Sequence, residues 1–122
     1  MDGDAKMYEW KGGEWTARNL RYVIHGHTCE IRDIDGDGNL DIMIGEMGNP
    51  GAGDNAKTYI WCGDGKGKLE ETLASHGQGI HEGRLGDFDG DGDLDILMKP
   101  YNHNAPRIDI LLNTGSAKGG KG

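Results

Sequence analysis

Short apolar stretches separated by glycine-rich polar ones recur along the chain. Residues 28–32, 40–45, 57–62 and 69–73 each alternate or concentrate Ile, Leu, Met, Tyr, Trp and Thr. Each has about the five or six residues of an ordinary strand. No stretch of helical length repeats its apolar positions with a period of 3.6, so the pattern predicts β-structure, with only 69–74 also compatible with a helical turn. Glycine marks the joints: a Gly/Asn-rich loop over 47–55, a turn over 63–67, and Gly77-Gln78-Gly79 before the next strand.

The pattern then repeats. At an offset of 54 residues His27 falls on His81, Ile31 on Leu85, and Leu40-Asp41-Ile42 on Leu94-Asp95-Ile96. At an offset of 51, Ala5-Lys6-Met7-Tyr8-Glu9-Trp10 falls on Ala56-Lys57-Thr58-Tyr59-Ile60-Trp61. The difference predicts about three more residues in the second turn, near 63–67. Residues 107–112 supply a third copy of that strand. Tandem repeats of this length indicate propellers or arrays, with four short strands per repeat.

Two of the joints carry chemistry. Residues 33–41 read Asp-Ile-Asp-Gly-Asp-Gly-Asn-Leu-Asp and residues 87–95 read Asp-Phe-Asp-Gly-Asp-Gly-Asp-Leu-Asp. Acidic side chains thus stand at positions 1, 3, 5 and 9 of each loop, with glycine at 4 and 6. So many carboxylates on one tight loop repel one another unless a cation sits among them. A hard ion that takes six to eight oxygens suits them, and calcium suits them best. The carboxylates at 1, 3, 5 and 9 and the carbonyl at 7 could converge on one ion. An EF-hand is excluded, because position 12 is Ile44 in one loop and Met98 in the other, where a bidentate glutamate is required. The Leu-Asp-Ile that closes each loop starts a strand. Loop ligands would occupy most of the coordination places, which makes the ion a structural staple coupled to folding.

Composition narrows the function classes. The net charge of −8 lacks the basic stripe a nucleic-acid partner requires. Two calcium ions would halve that charge. No apolar run approaches the roughly 20 residues of a membrane span. The first residues do not form a signal peptide. A calcium-rich extracellular or cell-surface setting suits the loops, with any leader outside this chain. Residues 116–122, Ser-Ala-Lys-Gly-Gly-Lys-Gly, are expected to be a flexible Gly/Lys tail.

Asp-x-Asp-Gly-Asp-Gly-x-Leu-Asp-Ile on a repeat of this length resembles the FG-GAP/VCBS repeats of integrin-α-like calcium-binding β-propellers, from Ala5 to about Gly115. The resemblance implies an all-β fold of tandem four-stranded antiparallel blades, with calcium loops between the first and second strands. It divides the chain into a partial blade (1–26), a blade (27–76) and a second blade (77–115). The implied ligands of two Ca2+ sites are Asp33, Asp35, Asp37, Asp41 and the Asn39 carbonyl, then Asp87, Asp89, Asp91, Asp95 and the Asp93 carbonyl. Family propellers close with about seven blades, so this chain is an incomplete propeller whose open faces call for neighbouring blades or self-association, as ring or filament. The family has members in cell adhesion, in bacterial surface proteins and beside polysaccharide-degrading enzymes. The expected function is therefore a calcium-stabilised extracellular module for glycan or protein binding or for self-assembly. The alternatives are a fragment of a polysaccharide lyase and a structural subunit of an extracellular fibre. Catalysis is the less favoured reading.

Outside the loops, His27 and His81 share one repeat position and are either ligand-binding or acid–base groups on a common face, or packing residues. Tyr101 and Arg107, in a polar cluster with Lys99 and His103, would serve the lyase reading as proton acceptor and carboxylate clamp. Trp10 and Trp61, accompanied by Tyr8 and Tyr59, are expected to fill the core between blades, with glycan stacking as the alternative. Cys29 and Cys62 fall on the first and third strands of one sheet. Two strand spacings of about 4.8 Å separate them, beyond disulfide reach, which predicts two buried free thiols.

Overall fold

A computed structural model of the chain describes residues 2–100 and 107–115; Tyr101, His103 and the expected tail at 116–122 lie outside them. The described residues form nine strands in three antiparallel sheets. The first sheet is a hairpin of β1 (Asp2–Lys11) and β2 (Glu14–Ile24). The second is a four-stranded meander of β3 (Gly26–Arg32), β4 (Asp41–Glu46), β5 (Lys57–Gly63) and β6 (Leu69–His76). The third joins β7 (Glu82–Gly86), β8 (Asp95–Lys99) and β9 (Asp109–Leu111). Strand order follows chain order in every sheet, as short tight connections favour. Residues 69–74, compatible with a helical turn in sequence, lie within a strand.

The repeat is visible in the connections. Gly12 and Gly13, both at positive φ (63° and 85°), turn the first hairpin in two residues, while 64–68 turn β5 into β6 with three more. Loops 33–40 and 87–94 occupy the same place, between the first and second strands of the second and third sheets.

Pleating assigns the apolar side chains of the middle sheet to two cores. Ile42 opposes Trp61 and Ile44 opposes Tyr59 in register; these four pack with Val23, Leu20 and Ala5 of the hairpin. Met43 opposes Ile60 on the other face, and both pack with Leu85, Ile96 and Met98 of the third sheet. Met43 and Met98 are fully buried, each contributing roughly 1.5–3 kcal/mol by leaving water. The hairpin is further tied down by Arg21. Its guanidinium lies 4.5 Å from the centre of the Tyr59 ring and 3.3 Å from Glu71.

Two sequence expectations are corrected here. Tyr59 and Trp61 are buried, but their counterparts Tyr8 and Trp10 are exposed, because no described sheet covers the outer face of the hairpin. Both cysteines are free, yet Cys29 is exposed and Cys62 only half-buried. Cys29 alternates with the inward-facing Thr28 on the first strand of its sheet, where no neighbour covers it.

Glu46 joins the three sheets. Its buried carboxylate accepts from the Ile24 amide at the end of β2 (2.7 Å) and from the Lys57 amide at the start of β5 (3.0 Å). Its carbonyl accepts from Ile80 N–H at 2.8 Å, fixing the approach to β7. A carboxylate at this position satisfies donors that would otherwise be lost where sheets change over.

Candidate metal centres

Each acidic loop is folded by its own side chains. Glycines 36 and 38 stand at φ 75° and 93°, and glycines 90 and 92 at 79° and 93°, a conformation that suits residues without Cβ. Asp33 accepts from Gly38 N–H at 2.9 Å, and Asp87 accepts from Gly92 N–H at 2.9 Å. Asp35 accepts from Asp37 N–H (3.1 Å) and Asp89 from Asp91 N–H (3.2 Å). Asp37 accepts from Asn39 N–H (2.8 Å) and Asp91 from Asp93 N–H (2.9 Å). The bonds made by Asp35, Asp37, Asp89 and Asp91 are Asx turns in series, and they are the reason aspartate rather than glutamate fits alternate positions.

The aspartate at position 9 is different in kind. Asp41 and Asp95 are fully buried. One Asp41 oxygen accepts from the amides of Ile34 (2.7 Å) and Asp35 (3.2 Å), and the other accepts from Gly63 at 2.9 Å. Asp95 repeats the arrangement with Phe88 N–H (2.8 Å) and Asn113 N–H (2.8 Å). Each thus stitches its loop to the end of the third strand of its own sheet.

Carboxylate oxygens of Asp33, Asp35 and Asp37 lie within 4.8 Å of one another, as do those of Asp87, Asp89 and Asp95. Asp35, Asp41 and Cys62 form a third such group. Like charges held this close disfavour ionisation. Desolvation, with Asp41 and Asp37 nearby, holds Asp35 above the usual carboxylate range. Desolvation with Asp91 and Asp95 does the same for Asp89. Asp87 is held low, chiefly by the Gly92 amide. The Asp33 Oδ1 atom is buried with no hydrogen-bond partner. An orphaned buried oxygen among converging carboxylates fits a hard divalent cation, and the all-oxygen loop donors fit calcium.

Burial, reinforced by Asp41 and Asp35, pushes the Cys62 thiol up from 9.0 to about 12. In calcium-free protein the folded state therefore keeps a proton between those values that the unfolded chain releases. Its contribution is fully present below pH 9.0 and is lost as pH rises toward about 12. Urea unfolding in chelator should show the midpoint of the wild type falling more steeply above pH 9.0 than that of Cys62→Ala. Equal slopes would contradict this assignment.

The remaining candidates are placed as follows. His27 and His81 meet where β3 and β7 adjoin, with ring centroids 4.3 Å apart and planes at 27°. His27 Nδ1 lies 2.7 Å from the His81 carbonyl, which also accepts from Thr28 Oγ1 at 3.1 Å. Arg107 is paired with Asp109 at 2.9 Å beside β9.

Tandem antiparallel sheets with an acidic loop in the same place between first and second strands define an all-β repeat protein. A family model described as an FG-GAP-like repeat matches residues 33–98, over half of the chain, and the chain belongs to that family. No curated protein and no solved structure matches it.

Proposed function

We propose that the chain is a calcium-stabilised β-propeller-type module, extracellular or at the cell surface, whose blade surfaces serve binding of glycan or protein or assembly. Its units are a partial blade (1–26) and blades 27–76 and 77–115. One Ca2+ is held by Asp33, Asp35, Asp37, Asp41 and the Asn39 carbonyl; a second is held by Asp87, Asp89, Asp91, Asp95 and the Asp93 carbonyl. The observation that supports this reading is the recurrence of one glycine-turned acidic loop, in each case with three converging carboxylates and a buried ninth-position aspartate stitched to a later part of its sheet.

Calcium's task here is mechanical. It neutralises the carboxylates, holds the turn between first and second strands, and so fixes the blade edges that meet a partner. Limited proteolysis tests this: in calcium both loops should resist cleavage, and in chelator cuts should appear within 33–41 and 87–95 while the sheets survive. Identical digestion in both conditions would refute a structural ion.

A further inference from the structure

We propose that the first acidic loop, unlike the second, accepts a zinc-class cation in place of calcium, held by Asp35, Asp41 and the Cys62 sulfur. The pleat supplies the argument. Met43 stands opposite Ile60, and two residues along the same face Asp41 and Cys62 come together. Ligand atoms of Asp35, Asp41 and Cys62 lie within 4.8 Å of one another. These residues arrive from the loop, from β4 and from β5, so the loop's own turns do not account for their meeting. Asp35 also belongs to the all-oxygen group with Asp33 and Asp37. The loop therefore has an oxygen pole and a sulfur pole that share one carboxylate, and the two kinds of ion compete for it. Asp33 Oδ1, buried without a hydrogen-bond partner in that same loop, points independently to a cation here.

The second loop has the same carboxylates without the sulfur. Leu97 stands opposite Ile110 as Met43 stands opposite Ile60, which puts Leu112 where Cys62 stands. The backbone matches: the next residue in each strand, Gly63 or Asn113, donates its N–H to Asp41 or Asp95. Sulfur is the discriminating atom. Calcium takes many hard oxygens, whereas thiolate selects ions such as zinc that are content with a tetrahedron of donors. Asp35, Asp41 and Cys62 supply three corners of that tetrahedron, and water completes it. Asp41 keeps its amide bonds, since Oδ1 accepts one bond from Gly63 and a carboxylate oxygen has a second lone pair. The arriving ion deprotonates the thiol, and the proton passes to solvent. Asp35, Asp37 and Cys62 line an open groove of about 270 Å³, which gives the ion its way in.

This inference rests on the reading of the loops as metal sites, and cobalt separates it from the calcium assignment. Co2+ stands in for zinc and gives a sulfur-to-metal charge-transfer band only where thiolate coordinates it. Chelator-stripped Cys29→Ser protein should develop that band with one equivalent of Co2+, since the exposed Cys29 is not involved. Adding Cys62→Ser should abolish the band, and adding Asp35→Asn should remove most of it. Serine keeps the shape of cysteine, so these variants should keep the wild-type circular dichroism. In the wild type, Zn2+ should protect Cys62 but not Cys29 from alkylation, mapped by peptide mass, a readout that needs no variant. Bound calcium should fall by one ion per chain, not two, as one equivalent of Co2+ is added. A missing band, a band that survives Cys62→Ser, a Cys62 alkylated equally with and without Zn2+, or loss of both calcium ions would overturn the inference. The band in a chain that binds no calcium would leave the sulfur site standing and count against calcium as the ion of the loops.

Discussion

Replacing Asp41 with alanine is expected to remove about 3–9 kcal/mol of folding stability even in calcium-free buffer, because each of three donors left unpaired costs about 1–3 kcal/mol. The Asp41 carboxylate takes the amides of Ile34, Asp35 and Gly63, and its own side chain is fully buried, so water cannot replace it. Charge on the acceptor strengthens each bond. Against a total stability of about 5–15 kcal/mol, the variant should be partly unfolded near room temperature. Asp37→Ala is the control. That side chain is exposed and accepts hydrogen bonds from Asn39 within the loop, so in chelator its effect should stay near 0.5 kcal/mol, as for surface changes generally. Urea unfolding of the two variants in chelator checks the contrast. Equal losses would mean that Asp41 acts only as one more loop carboxylate.

Removing calcium is expected to lower the Tm by roughly 10 °C or more. An ion at a hundred times its Kd adds about 2.7 kcal/mol per site, and each kcal/mol moves the Tm of a domain this size by roughly 2–8 °C. Electrostatics points the same way, since two divalent ions reduce the formal charge of −8 by half. Asp35→Asn and Asp89→Asn should each forfeit about half of the calcium-dependent increment and change the chelated protein little. Thermal unfolding with calcium, with magnesium and with chelator reads this out. Magnesium should do less, because its octahedral preference and tight hydration fit a multi-carboxylate loop poorly.

Much of this architecture is legible in the residues, for a physical reason. Asp at alternate positions with Gly at 4 and 6 has only a few backbone solutions, so the loops and their strand flanks follow from spacing. Tyr-x-Trp repeats because a pleated strand returns the same face every second residue, which identified β1 and β5 as equivalents. The less legible features depend on distant partners. Asp41 reads as a loop ligand, yet its most distant hydrogen bond reaches Gly63, and Asp95 reaches Asn113; nothing local announces those contacts. Glu46 carries no motif, and its importance arises where β2, β5 and the approach to β7 converge. The only local signal is an acidic residue closing an otherwise apolar strand. His27 and His81 were recognisable as equivalents, but their stacking needs adjacent first strands. Tyr8 and Trp10 show the limit of repeat logic: equivalence fixes which face a side chain occupies, not whether that face is covered.

The most direct measurement is a calorimetric calcium titration of the chelator-stripped chain, repeated on Asp35→Asn, Asp89→Asn and the double variant. The predicted result is two ions per wild-type chain, one for each single variant and none for the double variant. A wild-type chain that binds no calcium while its sheets remain intact would contradict the account, as would a stoichiometry unchanged in the double variant.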